Sequence, residues 1–385
     1  MKTAGIVAEF NPFHNGHRYL IEKTREAGAT HVVAVMSGSF VQRGEPALFS
    51  KWERTEAALR CGVDLVLELP VPYALGSAER FAAGAVGLLR ALGCMDLLSF
   101  GSECGDAELI RRAAACCLEA ERGETMPSLL KRGLPYPAAR QQAVALLDPE
   151  AAKLLKRPND TLGVEYAKAA LRQGEPFPLM TVRRAAIAHD AGRPEGRFAS
   201  ASFLRGELAA GREVDAYLPE GTRGIYTRGA VTSRLERAIL WRLRGMTAAE
   251  LAYLPDVTEG LENRLYAAAQ TAESVGGFLE AVKTKRYPHA RLRRILWYAM
   301  LGIRAEDYAA PLPYLRVLGF GPGGRAVLRE AKKTARLPLV SDFPEVVTAS
   351  ERFALLEKAA TDLRGLAVDP PERCNQDYTK KLIVL

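Results

Sequence analysis

The start of the chain, residues 1–36, constrains the fold more strongly than any other stretch. A short apolar run, Ala4 to Phe10, has only Glu9 charged, which is typical of a buried parallel strand. Leu20 to Ala27 has the spacing of an amphipathic helix, and His31 to Met36 is again a short apolar run. Strand, helix and strand in this order predict a βαβ unit with a right-handed crossover, and hence a parallel sheet.

Between the first strand and its helix lies a turn rich in Asn, Pro and Gly, residues 11–16. A helix that opens at such a turn presents unpaired N–H groups and its positive dipole end, which favours phosphate. His14 and His17 are three residues apart, so both imidazoles are expected to face the crevice above the strand's carboxyl end. There they can donate hydrogen bonds to an α-phosphate in its transition state. Two alternatives stay open: zinc ligation, for which no third ligand has a supporting spacing, and two merely exposed polar residues.

The composition is that of an ordinary globular protein, with 48% hydrophobic and 25% charged residues in 385. This length is enough for two domains, and the net charge of +8 permits a polyanionic partner. A signal peptide and a run of 18 apolar residues are both missing from the sequence, so we expect a cytoplasmic protein without membrane association. The six cysteines have no paired metal spacing, and none is assigned to catalysis.

Further strands are predicted at Val63 to Leu69, Asp96 to Phe100 and Leu179 to Arg184. Ser50 and Glu53 form a possible capping box for a helix that ends near Arg60. The alternation of strands and helices ends near residue 205, and residues 206–385 are predicted to be mainly helical. The predicted helices there are Ser233 to Arg244, Thr247 to Ala252, Leu261 to Leu279, Ala290 to Ile303, Gly324 to Ala335 and Glu351 to Gly365.

Several polar residues in the first part are candidates for phosphate contacts. Arg43 and Lys51 follow the second strand and can lie over a polyphosphate, although such residues are often only solvated. Ser200, Ser202 and Arg205 can begin a helix with two hydroxyls and a guanidinium facing phosphates, or Ser200 or Ser202 can be only an N-cap.

The most informative stretch of the second part is Lys283 to Ile303, because residues 281–304 carry seven Lys or Arg and no Asp or Glu. In a helix from Ala290, the apolar residues form a core face, and Arg291, Arg294 and Tyr298 fall on another face. Phosphate contacts and a stacking aromatic are what RNA binding requires, and a solvated basic face is the alternative. Gly319 to Gly324 spells Gly-x-Gly-x-x-Gly, but without a clear βαβ frame it predicts only a loop before a helix.

The turn FNPFHNGH (10–17) resembles the signature of the HIGH-type nucleotidyltransferase superfamily. The whole chain resembles the bacterial tRNA(Met) cytidine acetate ligase family in segments distributed over both halves. These segments are SGSFVQRGEPALFSKW (37–52), DLVLELP (64–70), RPNDTLGVEY (157–166), ASASFLR (199–205), DVTEGLENR (256–264) and KRYPHARLRRIL (285–296).

This resemblance implies a Rossmann-like α/β domain with a parallel sheet at 1–205, which holds ATP and acetate, and a mainly α-helical tRNA-binding domain at 206–385. It implies two steps: ATP and acetate give acetyl-adenylate and pyrophosphate, and the acetyl group then passes to the exocyclic amine of the wobble cytidine. The implied partners are elongator tRNA(Met) and acetate, with Mg²⁺ expected beside ATP, no nameable protein ligand for it, and no stable protein partner.

The resemblance also implies site residues, with His14 and His17 catalytic. The ATP-binding set is Val7, Ala8, Glu9, Phe10, Asn11, Pro12, Phe13, His14, Asn15, Gly16, His17, Arg18, Tyr19, Leu20, Gly101, Asn159 and Arg183 or Arg184. The choice between the two arginines stays open because VRRAAIAHD (182–190) departs from the expected pattern. Ser200, Ser202 and Arg205 are added for phosphates, and Lys285, Arg286, Arg291, Arg294 and Tyr298 for tRNA.

Two other functions remain as alternatives at this stage. A small-molecule nucleotidyltransferase can use the same turn to join AMP or CMP to a phosphate-bearing metabolite, but it leaves the basic helical part unexplained. A non-catalytic RNA-binding scaffold leaves both histidines without a role.

Overall fold

The computed structural model describes residues 1–174, 177–184, 194–258 and 260–385; most of the VRRAAIAHD segment and Glu259 of DVTEGLENR lie outside these ranges. The strands are β1 Thr3–Ala8, β2 His31–Ser37, β3 Phe40–Val41, β4 Glu45–Pro46, β5 Leu65–Leu69, β6 Leu97–Ser102, β7 Leu179–Arg183, β8 Leu315–Phe320, β9 Leu339–Val340 and β10 Ile383–Val384.

Helices fill both faces of the sheet and most of the second part. The helices of the first part are α1 Asn15–Glu26, α2 Lys51–Arg60, α3 Val71–Ala74, α4 Ala78–Leu92, α5 Ala107–Arg122, α6 Thr125–Lys131, α7 Tyr136–Leu147, α8 Pro149–Leu154, α9 Pro158–Arg172 and α10 Ala201–Ala209. Those that follow are α11 Glu236–Arg244, α12 Ala248–Ala252, α13 Leu261–Thr271, α14 Val275–Val282, α15 His289–Leu301, α16 Pro322–Thr334, α17 Phe343–Ala349, α18 Glu351–Leu366 and α19 Gln376–Thr379.

The main sheet has the order β10-β8-β5-β2-β1-β6-β7, with β9 beside β8. The predicted parallel sheet is confirmed for five adjacent strands, since β5, β2, β1, β6 and β7 run parallel to one another. The strand order reverses at β1, which lies between β2 and β6. Helices leave the sheet on opposite sides there, so a crevice opens at the carboxyl ends of β1 and β6.

Alternation of side chains along the central strands builds a core on each face of the sheet. In β2, Val33 and Val35 pack into the cluster under α4, α5 and α9, whereas Val32, Ala34 and Met36 pack toward α1 and α2. A third cluster, around α11, α13 and α15, forms the helical part. It contains Phe40 and Val71 from the first part, so the helical part packs directly on the sheet domain.

The second half is less purely helical than predicted, because β8, β9 and β10 join the main sheet. β8 runs antiparallel to β5, with Val66 opposite Gly319. The expectation that no βαβ frame surrounds Gly319 to Gly324 is wrong: β8, α16 and the parallel β9 form that unit. The expected loop before a helix is confirmed, since Gly321 is the N-cap residue of α16.

Two further details of the helices concern the site and the predictions. Pro158 occupies the first position of α9, so Asn159 lies in the first turn of that helix. The single helix predicted at Leu261 to Leu279 is two helices, α13 and α14, because Ser274 begins the second as its N-cap. In the part of the chain that the structure describes, no helix is long and apolar enough to cross a membrane.

Candidate active site at the carboxyl ends of the strands

The two histidines and the start of α1 form one hydrogen-bonded unit. The His14 Nδ1 accepts the N–H of Gly16 at 3.0 Å, and the His17 Nδ1 accepts the N–H of His14 at 3.2 Å. The imidazole rings stack with centroids 3.8 Å apart. Gly16 is required by this packing, because a Cβ there would lie 2.9 Å from the Cε1 of His14. Sequence alone suggested the helix start, but not that the histidines themselves cap it.

This arrangement fixes the protonation of both rings. Because each Nδ1 accepts a backbone N–H, each neutral ring carries its proton on Nε2. Burial, Arg184 and Arg205 lower the pKa of His14 to about 3. Burial, followed by His14 and Arg184, lowers the pKa of His17 well below its ordinary value. Near neutral pH the site therefore contains two uncharged Nε2–H donors.

The buried guanidinium of Arg54 holds the chain just before the histidine turn. Arg54, with no exposed surface, donates to the carbonyls of Glu9 at 2.7 Å, Ser37 at 2.9 Å and Phe49 at 3.1 Å, and also to that of Gly38. The carbonyls of Glu9, Ser37 and Gly38 lie at the ends of β1 and β2, and that of Phe49 lies just before α2. Burial lowers the pKa of Arg54 to about 10, so it stays charged at neutral pH. Sequence analysis missed this residue, because nothing local distinguishes it from other helical arginines.

A cavity of about 320 Å³ lies above these strand ends, within the size range of small-ligand sites. Its wall combines apolar and aromatic side chains with several cations. The described residues that line it are Val7, Ala8, Glu9, Phe10, Asn11, His14, Gly16, His17, Tyr19, Leu20, Gln42, Arg43, Ala78, Phe81, Phe100, Gly101, Pro158, Asn159, Thr161, Leu162, Tyr166, Val182, Arg183, Arg184, Phe198, Ala199, Ser200, Ala201, Ser202 and Arg205.

The cavity brings together most of the residues predicted for nucleotide and phosphate. Four members of the predicted stretch do not line it: Pro12, Phe13, Asn15 and Arg18. Their side chains serve other contacts; Arg18, for example, pairs with Glu22 on the surface of α1. The aromatic lining by Phe100, Tyr166 and Phe198 was not anticipated, because these residues come from separate elements.

The two adjacent arginines after β7 differ in their surroundings. Arg183 is exposed, whereas Arg184 is half-buried, and burial lowers its pKa. The Nη1 of Arg184 lies 3.4 Å from the Oδ1 of Asn159, and a Cβ at Gly101 would lie 3.4 Å from its Cγ. These contacts favour Arg184 as the nucleotide-contacting arginine.

The start of α10 contributes a second cation and two hydroxyls. Arg205 donates to the carbonyl of Asn11 at 3.0 Å and pairs with Glu45 at 3.1 Å. Ser200 is the N-cap residue of α10, and its Oγ accepts the N–H of Phe203 and lies 3.0 Å from that of Ser202. The N-cap alternative is therefore confirmed for Ser200, although both serines also line the cavity.

Lys51 is not a phosphate contact, and this interpretation is wrong. Its side chain has no exposed surface, and its Nζ lies 2.7 Å from Glu68 and 2.6 Å from Asp377. Arg316 completes the cluster by pairing with the same two carboxylates. Lys51 instead joins the sheet to the end of the chain.

The predicted RNA-facing side of α15 also needs correction. Tyr298 is fully buried, and its hydroxyl donates to the carbonyl of Leu75 at 3.0 Å, so it cannot stack on a base. Arg291 donates to the carbonyl of Asp256, and Arg294 lies 3.5 Å from the carboxylate of Asp256. The prediction for Tyr298 is wrong because α15 packs against elements on several sides and buries more than one face.

The exposed cations of residues 281–304 are Lys283, Lys285, Arg286, Arg293 and Arg304. Arg293, which sequence analysis did not select, packs beside the β3–β4 hairpin: a Cβ at Gly44 would lie 3.2 Å from the Cβ of Arg293. Gln42 and Arg43 of the same hairpin line the cavity. Arg293 therefore lies beside a hairpin that borders the cavity.

The donor set offers little to a metal ion. Among the described residues there is no group of three or more His, Cys, Asp or Glu side chains that could hold one. Glu9 is the sole carboxylate among the described residues that line the cavity; it accepts the N–H of Gln42 at 2.9 Å, and burial raises its pKa. The residues present therefore do not fit a resident metal site, and the zinc alternative gains no support.

Neutral N–H donors on a helix start, cations and a crevice at the strand reversal are features of enzymes that act on nucleotide phosphates. The profile of the HIGH nucleotidyl transferase family matches residues 1–380. The chain belongs to this family, which confirms the predicted superfamily and fold class.

Relatives within the family share one specific name. Proteins named tRNA(Met) cytidine acetate ligase are 41% identical in Syntrophotalea carbinolica, over 91% of this chain and 87% of that protein, and 36% identical in Thermoanaerobacter sp., over all of both chains. Crystal structures of Thermotoga maritima TmcAL, 32% identical and covering all of both chains, superpose with TM-scores of 0.92 without ligand and 0.89 with alpha-thio ATP.

Proposed function

We propose that this chain is an ATP-dependent ligase that activates acetate as acetyl-adenylate and acetylates the exocyclic amine of the wobble cytidine in elongator tRNA(Met). The observation that carries the proposal is the pair of neutral Nε2–H donors in a cation-lined cavity. The full-length likeness to proteins named for this reaction supports it. A cytoplasmic location, where tRNA is modified, belongs to the same proposal, as does a division of roles at residue 205, with ATP and acetate bound before it and tRNA bound after it.

In the first step, an acetate oxygen attacks the α-phosphorus, and the bond from that phosphorus to the bridging oxygen of pyrophosphate breaks. His14 and His17 donate from Nε2 to the α-phosphate oxygens, whose charge changes most in the transition state. Neutral donors suit this role because they need no proton exchange with solvent. Arg184 and Arg205 hold the phosphates that leave as pyrophosphate.

In the second step, the cytidine amine attacks the acetyl carbonyl, loses a proton, and AMP leaves. Lys285, Arg286 and Arg293 offer exposed charges for the RNA backbone, and Arg293 packs beside the hairpin that also borders the cavity. Arg291 and Arg294 act on this surface indirectly, by ordering α15 against Asp256. When bound with ATP, Mg²⁺ would offset the phosphate charge, and among the described residues no group of three or more His, Cys, Asp or Glu side chains could hold it.

The test is mass spectrometry of nucleosides from tRNA incubated with the enzyme, ATP and isotope-labelled acetate. Label is expected in acetylcytidine only when elongator tRNA(Met) is present, and pyrophosphate is expected only when acetate is added. A transcript with uridine in place of the wobble cytidine is the matched control. If label never reaches RNA while AMP becomes attached to a phosphorylated metabolite, the chain is instead a small-molecule nucleotidyltransferase.

A further inference from the structure

Glu103, directly after β6, holds the first turn of α9 through both carboxylate oxygens. Its Oε1 accepts the backbone N–H of Asn159 at 3.2 Å and the Nδ2 of the same residue at 2.6 Å. Its Oε2 accepts the N–H of Asp160 at 2.7 Å. Two otherwise unpaired helix N–H groups are satisfied, and the carboxylate lies at the positive end of the helix dipole.

These contacts leave the Asn159 side-chain amide only one orientation. A carboxylate can only accept, so the amide NH₂ must face Glu103, and a guanidinium can only donate, so Oδ1 must face Arg184, at 3.4 Å. A rotated amide would place oxygen against oxygen and N–H against N–H. Because Asn159 lines the cavity, the group it offers to a ligand is the acceptor Oδ1.

The positions of the hydrogen-bond donors in ATP determine which part of the nucleotide can bond to the Asn159 Oδ1. Phosphate oxygens and the ring nitrogens of adenine only accept hydrogen bonds. The donors of ATP are its ribose hydroxyls and its 6-amino group, all in the nucleoside. We propose that Glu103 is a positioning residue that fixes Asn159 as the acceptor for a nucleoside donor of ATP; this rests on the proposed function in taking ATP as the ligand.

The anchoring of α9 to β6 does not depend on Glu103 alone. The Asp160 Oδ1 accepts the Oγ–H of Ser102 at 2.6 Å, the N–H of Glu103 at 2.8 Å and that of Cys104 at 3.2 Å. None of these bonds uses the side chain of Glu103, so they persist when that side chain changes. A variant at Glu103 therefore affects the orientation of the Asn159 amide while the helix stays attached.

The decisive variant is Glu103→Gln. The new amide has one acceptor oxygen instead of two, so it cannot accept from both the Asn159 Nδ2 and the Asp160 N–H, and the Asn159 amide is no longer held in one orientation. A double variant, Glu103→Gln with Asn159→Asp, restores an acceptor at position 159, because the glutamine donates to one aspartate oxygen and leaves the other free. It also restores the net charge of the wild-type pair.

The measurement is calorimetric binding of ATP, 2′-deoxyATP, 3′-deoxyATP and purine riboside triphosphate, which lacks the 6-amino group. The wild type is expected to bind one of these analogues about 10-fold more weakly than ATP, the scale of one hydrogen bond whose partner is lost, and that analogue identifies the donor. Glu103→Gln is expected to bind ATP about 10-fold more weakly and to lose the difference in affinity between ATP and that analogue. The double variant is expected to recover both the affinity for ATP and this difference. Glu250→Gln, in the remote capping box of α12, is the control for weakening a helix start.

The proposal is overturned if the wild type does not discriminate against any analogue, or if Glu103→Gln keeps the wild-type ratio for all of them. Should Glu103→Gln not fold, Asn159→Ala makes the same test, because removal of the acceptor must abolish the same discrimination. The binding assay contains neither acetate nor RNA. If the protein discriminates between the ATP analogues as expected but never acetylates tRNA, the proposed ligase function is refuted and this inference about Glu103 still holds.

Discussion

His14 should make the folded chain sensitive to acid, by an amount that its pKa predicts. Burial, Arg184 and Arg205 lower that pKa from 6.5 to about 3. Below about pH 6.5 the unfolded chain therefore binds a proton at His14 that the folded chain does not bind. The contribution of His14 to the free energy of unfolding is present above this pH and is lost as the pH decreases toward 3. At 1.36 kcal/mol per pH unit, His14 alone should cost about 2 kcal/mol of unfolding free energy between pH 8 and pH 5.

The perturbation is His14→Asn, which removes the titrating ring and keeps a side chain that can accept the N–H at the start of α1. Urea unfolding would be measured at pH 8 and pH 5 in the wild type and the variant. The decrease in unfolding free energy between these pH values should be about 2 kcal/mol smaller in the variant. His31→Asn, outside the cavity, controls for the loss of one imidazole.

Equal decreases in the wild type and His14→Asn would refute the reasoning, because His14 would then hold the same proton in both states. The same neutrality has a catalytic consequence. Since both rings are uncharged near pH 7, acetyl-adenylate formation should not follow a histidine titration between pH 6 and 8.

Three further predictions concern the site, the exposed cations and Tyr298. His17→Ala should lower acetate-dependent pyrophosphate release by about 100-fold with little change in melting temperature, and unchanged turnover would remove His17 from the mechanism. The triple variant Lys285→Ala, Arg286→Ala, Arg293→Ala should weaken tRNA binding and reduce the slope of log binding constant against log salt concentration by about two to three. Acetyl-adenylate formation without tRNA should persist. An unchanged slope would show that RNA does not contact this surface. Tyr298→Phe should leave tRNA affinity unchanged and cost about 1 kcal/mol of stability through the lost bond to Leu75; weaker RNA binding in the folded variant would reopen the stacking role.

Local patterns were sufficient for the elements that form from neighbouring residues. The βαβ start and the Ser50–Glu53 capping box were predictable because period and cap signals lie within one or two turns of chain. The histidines were found because their spacing, the helix start and the strand end occur together in one stretch. Sequence alone did not reveal that backbone N–H groups fix their tautomer.

Long-range contacts account for the residues that were misread. Lys51 looked like a phosphate contact because its partners, Glu68 and Asp377, are distant in sequence. Tyr298 was assigned to an exposed face on the assumption that α15 buries one side only, whereas Leu75 meets it from the first part of the chain. β8 was missed because its pairing with β5 joins distant parts of the chain, and the hydrophobic periodicity within one segment does not show such a pairing.

The same long-range contacts predict that residues 1–205 do not fold independently, although this range was expected to be the catalytic domain. Removing residues 206–385 would expose β5 as an edge where β8 now pairs with it antiparallel. It would also separate Lys51 and Glu68, both fully buried, from Arg316 and Asp377. Lys51 and Glu68 still pair with each other, but each loses its second partner of opposite charge, and removing a partner from a buried ion pair costs up to about 3–5 kcal/mol, a large share of the stability of a typical domain.

A fragment of residues 1–205 should therefore aggregate or lack a cooperative unfolding transition, as measured by gel filtration and thermal melting. Adding back residues 206–385 as a separate chain is the informative control, because it restores both the strand pairing and the ion pairs without restoring the covalent link. A fragment of 1–205 that melts cooperatively and binds ATP by itself would contradict this prediction. The boundary at residue 205 would then be a true domain boundary, and the ion cluster around Lys51 would contribute to docking, not to folding of the sheet.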